Sequence, residues 1–140
     1  MSLGFVTTLE AFMPGWMVLV NRDGQRFYDE GEDFWPKRYA IWGRLVAQQP
    51  GQIAWSIIDA KAVGRFMPPV FDGVVANSLP ELAKKIGLNE PTFMQTLTDY
   101  NQACCVGTFD HTQLDDCHTE GVQPAKTHWA RPIDTAPFYA

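Results

Sequence analysis

Apolar positions along this chain change their period several times, and each change marks an element. Trp16 to Asn21 is an apolar, β-prone run, Asn21-Arg22-Asp23-Gly24 carries turn chemistry, and Gln25 to Tyr28 alternates polar with apolar. The spacing predicts a β-hairpin with its tip at Asp23-Gly24. The acidic run Asp29-Glu30-Gly31-Glu32-Asp33 reads as an exposed loop. A helix follows, capped by Asp33, with Pro36 in its first turn where a missing N–H costs nothing, and running to about Gln48. Pro50-Gly51 ends it, and the short apolar run from Ile53 to Asp59 has the length and β-branched content of a buried strand.

The pattern then weakens through Phe66-Met67-Pro68-Pro69 and Phe71-Asp72-Gly73, which predict an irregular connection. Ser78-Leu79-Pro80-Glu81 is a capping box, and Gly87 closes the short helix it begins. Asn89 caps a further helix with Pro91 in its first turn, with Phe93, Leu97, Tyr100 and Cys104 on one face and its end at Gly107. From Thr108 to Gln123 the chain is polar and loop-like, and HWARPIDTAPFYA reads as an extended tail. Before Trp16, Pro14-Gly15 breaks any helix begun at Thr8, leaving a lead-in segment. These elements predict an α+β domain with a β-hairpin, a few short strands and three helices. Phe138-Tyr139-Ala140 has the look of an apolar element just beginning, which predicts that residues 1–140 are one domain of a longer protein.

A length of 140 residues fits one core and is too short for two ordinary domains. The net charge of -5 argues against a nucleic-acid partner, whose phosphates require clustered Lys and Arg. Nowhere are there the roughly 20 consecutive apolar residues of a membrane helix. Cys104 and Cys105 are adjacent, leaving Cys117 as the only distant cysteine, so no disulfide framework is expected and a reducing cytoplasm fits. The chain contains no G-x-G-x-x-G, Walker or G-x-S-x-G motif, so it is expected to hold no nucleotide cofactor of its own.

Candidate chemistry centres on Arg38, which shares a helix face with Ile41, Trp42 and Leu45 by the i, i+3, i+4, i+7 rule. It reads either as a structural arginine whose stem covers Trp42 and whose head meets Glu30 or Asp33, or as the fork for a substrate carboxylate. Lys37, Arg44, Arg22 and Arg26 read as solvated charges. The acidic run lacks the order of a calcium loop. His111, Cys117 and His118 give only a weak zinc signal, and Cys104-Cys105, at the end of an amphipathic helix, read as buried rather than nucleophilic.

LVNRDGQRFYDE followed by an arginine-led helix ending in Ala47-Gln48 resembles the substrate-capping domain of the fumarate reductase and succinate dehydrogenase flavoproteins. The version RFYDEGEDFWPKRYAIWGRLVAQQPGQIAWSIID looks most like the FAD-dependent tricarballylate dehydrogenase branch. LPELAKKIGLNEPTFMQTLTDYN is similar to the family's helical L-A-x-x-x-G and T-x-x-x-Y-N stretch, and PFYA to the return toward the flavin domain. The resemblance implies FAD on another domain of the same polypeptide, none in this chain, and a cap closing over a di- or tricarboxylate. It also implies that Arg38 moves a proton while hydride passes to or from flavin, with Glu10 as its relay. Leu9 stands where the family has threonine, and Met13 where it has the relay arginine. On this reading the chain alone is inactive. The alternative is a stand-alone small-ligand or protein-binding module with a structural Arg38.

Overall fold

A computed structural model describes residues 16–33, 38–66 and 71–140, without the side chains of Arg38 and Tyr39. The domain is α+β. Strands β1 (Val18–Asn21), β2 (Ala54–Asp59), β3 (Val75–Ala76) and β6 (Phe138–Tyr139) form an antiparallel sheet in the order β1-β2-β6-β3. A separate two-stranded ladder joins β4 (Cys104–Cys105) and β5 (His118–Thr119). Three helices, α1 (Arg38–Ala47), α2 (Leu79–Ile86) and α3 (Glu90–Ala103), lie among the described residues. None of these is long and apolar enough to cross a membrane.

Because strand side chains alternate between faces, β1 sorts its residues into two cores. Val18 and Val20 join Ile57, Leu82, Phe93, Leu97, Tyr100 and Phe138 on the α2/α3 face. Met17 and Leu19 join Ile58, Ala62 and Trp42 on the α1 face. With both faces covered, β1 is buried at all four positions, which explains its unbroken apolar run.

The predicted caps are present. Ser78 Oγ accepts the Glu81 N–H at 3.3 Å, Glu81 returns to the Asn77 N–H at 3.0 Å, and Gly87 closes α2 at φ 73°. Asn89 Oδ1 accepts the Thr92 N–H at 3.0 Å at the start of α3. That helix ends at Ala103, four residues before Gly107, because Cys104 and Cys105 turn extended to pair with β5.

Two other expectations are corrected. The turn after β1 forms as predicted, with Asn21 Oδ1 accepting the N–H groups of Asp23 and Gln25 and Gly24 at φ 79° against the Phe93 backbone. The second arm, Gln25 to Tyr28, keeps a single bridge, Val20 with Arg26, and the strand that pairs with β1 along its length is β2. The tail is also no mere trailing segment. Trp129, Ala130, Ile133 and Phe138 are buried, and β6 is inserted between β2 and β3. The predicted first helical turn with Pro36, the Met67-Pro68-Pro69 connection and everything before Trp16 lie outside the described residues.

Candidate functional site

Arg38 is the first residue of α1 as described, and one turn later Trp42 docks the helix onto the sheet. Trp42 is buried and meets Tyr28 edge-on at 5.9 Å, while Ile41 and Leu45 are half-buried and Arg44 is exposed. The backbone of Arg38 therefore stands one turn before the residue that fixes the helix to the sheet. Its side chain and the whole of Glu10 fall outside the described residues.

Behind the turn lies a charged assembly that the sequence pattern misplaced on the surface. Glu30, expected in an exposed loop, is fully buried, and Arg26, expected in solvent, is 8% exposed. Arg26 Nη2 donates to Glu30 Oε2 at 2.6 Å and its Nε to Oε1 at 3.2 Å, a bidentate pair. The same guanidinium donates to Pro124 O at 2.6 Å and lies 5.0 Å from the Tyr100 ring centre. Burial lowers the Arg26 pKa, but the Glu30 carboxylate outweighs it and holds the guanidinium above its ordinary value.

This assembly takes over the role of the missing hairpin arm. Backbone groups at alternate positions of β1, and of Met17 just before it, face away from β2. Asn21 N–H donates to Gln25 O at 2.9 Å, Leu19 N–H to Glu30 Oε1 at 2.7 Å, and Met17 O accepts from Lys126 Nζ at 2.7 Å. Lys126 is buried, and desolvation brings its pKa down from 10.5 to about 8, against the attraction of Glu30. One ion pair and one amine thus saturate an edge that would otherwise carry unpaired polar groups.

The rest of the acidic run is stitched to the tail. Asp29 Oδ1 accepts the Gly31 and Thr127 N–H groups at 2.9 and 3.0 Å, and Gly31 O accepts from Thr127 Oγ1. A Cβ on Gly31 would stand 2.1 Å from His128 O, so only glycine fits there. Tyr100 and Asn101, the Y-N of the motif on α3, grip the tail from the other side. Tyr100 Oη donates to Arg131 O at 3.0 Å, and Asn101 exchanges two hydrogen bonds with the Ile133 backbone at 2.8 and 3.0 Å. Burial pushes the Tyr100 phenol well above its ordinary pKa, keeping it a neutral donor. Much of the motif is therefore architecture.

His111, Cys117 and His118 do not come together as a zinc trio. His111 is exposed, and Cys117 is buried with its thiol pKa raised by desolvation and by Asp115. Among the described residues His118 instead meets Cys105 and Glu120, all three ligand atoms lying within 4.8 Å of one another. No separation between consecutive positions reveals this, because Cys105 reaches His118 across the β4–β5 ladder.

No protein-family model matches the chain. The 4-oxocyclohex-2-ene-1-carboxylate 5-dehydrogenase of Sinomonas cyclohexanicum is 26% identical over 91% of this chain, which spans 24% of that protein. Among solved structures, a flavocytochrome c3 fumarate reductase in an open conformation superposes with TM-score 0.62 and 21% identity. That match takes in 95% of this chain and 21% of the other. The 3-ketosteroid-Δ4-(5α)-dehydrogenase of Rhodococcus jostii RHA1, in complex with 4-androstene-3,17-dione, gives TM-score 0.60 and 22% identity over 93% of this chain and 25% of that one. The fold is thus shared with a segment of much larger redox enzymes.

Proposed function

We propose that this chain is the substrate-capping domain of a longer FAD-dependent oxidoreductase. The observation that carries the reading is the shared fold over 95% of this chain with about a fifth of a fumarate reductase. FAD sits on a separate domain of the same polypeptide, and the cap brings the start of α1 toward it. Arg38 then binds a carboxylate of a fumarate- or tricarballylate-like substrate and carries the proton, with Glu10 as relay, while hydride passes to or from flavin. A helix N-terminus favours the anion, and the planar guanidinium matches a carboxylate bidentately. A cytoplasmic setting belongs to the same proposal, supported by three cysteines that stand as free thiols.

A second substrate class has its own support. The dehydrogenase relative is named for a cyclic keto acid, and the Rhodococcus structure holds a steroid ketone. Assaying the full-length flavoprotein with tricarballylate, fumarate and 4-oxocyclohex-2-ene-1-carboxylate, with dye acceptors and reduced dye donors, separates the classes. Arg38→Ala is expected to abolish turnover while leaving flavin absorbance unchanged. Near-normal turnover rejects the role of Arg38, and a natural protein without flavin favours the binding module.

A further inference from the structure

The β4–β5 ladder presents three potential ligands on one face. Cys105 and His118 are directly paired across it, and Glu120 lies two residues beyond His118, so the three side chains emerge on the same side. The frame is fixed by backbone bonds: Glu120 N–H donates to Ala103 O at 2.9 Å and Thr119 N–H to Lys126 O at 2.9 Å. All three side chains remain reachable from solvent, with Cys105 and His118 half-buried and Glu120 exposed.

The orientation of His118 decides what this face can bind. Its Nδ1 lies 2.8 Å from the Asp116 carbonyl, an acceptor, so Nδ1 carries the proton. In the neutral ring Nε2 is then an acceptor, and it faces another acceptor, Glu120 Oε1, at 3.1 Å. Two lone pairs at that distance repel unless a proton or a metal cation stands between them. Anchoring one imidazole nitrogen on a carbonyl so that the other presents its lone pair is also how metal-binding histidines are oriented.

We propose that Cys105 Sγ, His118 Nε2 and Glu120 Oε1 form a three-ligand site for a borderline-soft divalent cation such as Zn2+. Thiolate, imidazole and carboxylate together select zinc over the hard cations magnesium and calcium. The 3.1 Å edge between Nε2 and Oε1 is close to the ~3.3 Å edge of a tetrahedron built with bonds of about 2.0–2.1 Å. Sγ, within 4.8 Å of both, needs to move in by at most about 1 Å, and it gives up a long 3.7 Å contact with Ala103 O. The thiol loses its proton to solvent on binding, and the fourth position stays open to water.

Titrating the metal-free chain with Co2+ and, by calorimetry, with Zn2+ tests the site. One equivalent should bind, with Co2+ giving a thiolate-to-metal charge-transfer band. Cys105→Ser should remove that band, and His118→Gln and Glu120→Gln should each weaken Zn2+ binding by at least about tenfold, a loss that even outer ligand partners cause. Cys104→Ser and Cys117→Ser should leave the band in place, circular dichroism confirming the fold of every variant. No stoichiometric binding, a band that survives Cys105→Ser, or a band lost with folded Cys117→Ser overturns the proposal.

Discussion

Two clusters of charge in this domain differ in one physical respect. Around Arg26, Glu30 and Lys126 the ionic groups are buried and their bonding capacity is taken up by one another and by the backbone of β1. Around Cys105, His118 and Glu120 the groups are half-buried or exposed, and His118 Nε2 faces Glu120 Oε1 at 3.1 Å, where a proton or a metal cation stands between them. Saturated burial makes a staple; a reachable set of side chains whose proton a cation can replace makes a place for a ligand. Charged residues in both clusters come from stretches that look alike in sequence, so local composition does not separate the two roles.

The largest effect expected from breaking the first cluster is that of Glu30→Ala. It strands the buried Arg26 guanidinium and the Leu19 N–H, and should cost about 3–5 kcal/mol in urea denaturation. Next is the pH dependence carried by Lys126. Its folded pKa of about 8 lies below its ordinary 10.5, so between these values the unfolded chain binds more protons and stability rises with pH. The contribution is fully present above pH 10.5 and is lost as pH falls through about 8, a swing on the order of 3 kcal/mol. Subtracting the stability curve of Lys126→Met from that of the native protein over pH 7 to 10 isolates this slope. A flat difference would remove Lys126 from the staple.

Smaller changes sharpen the contrast. Asn101→Ala removes both bonds to the Ile133 backbone and should cost about 1–3 kcal/mol, read as a lower denaturation midpoint and faster amide exchange at Ile133. At the bottom of the scale, Glu120→Gln in metal-free protein should leave the melting temperature unchanged, since its carboxylate is exposed and holds no backbone in place. A marked fall there would make the second cluster a staple as well and erase the distinction.

Locally encoded features were legible in the sequence. The caps at Ser78 and Asn89, the glycine stop at Gly87, the Asn21 to Gly24 turn and the apolar runs of β1 and β2 each depend on neighbours within a few positions. What was hidden depends on distant partners. Glu30 looks solvated among Asp29, Glu32 and Asp33, and its burial follows from Arg26 and the edge of β1. Gln25 to Tyr28 alternates like a strand, yet Arg26 turns inward to the carboxylate and the arm stops at one bridge. The early end of α3 requires β5, over ten residues away, and the burial of Lys126 requires Met17, 109 positions earlier in the sequence. For the candidate site, the sequence marked Arg38 on the face shared with Trp42 but could not bring Cys105 to His118.

The position of β6 has a kinetic consequence. Phe138 and Tyr139 fill the slot between β2 and β3, so β3 has no partner strand, and β2 has only β1, until residues about eighty positions after β2 have arrived. Closing so long a loop delays the reward of pairing, and sheets assembled this way form slowly. During synthesis the α2–α3 pair, joined by a short link, can collapse early on local contacts alone. The four-stranded sheet is complete only when the final strand arrives, so β3 and the edge of β2 beside it are among the last parts of the domain to pair.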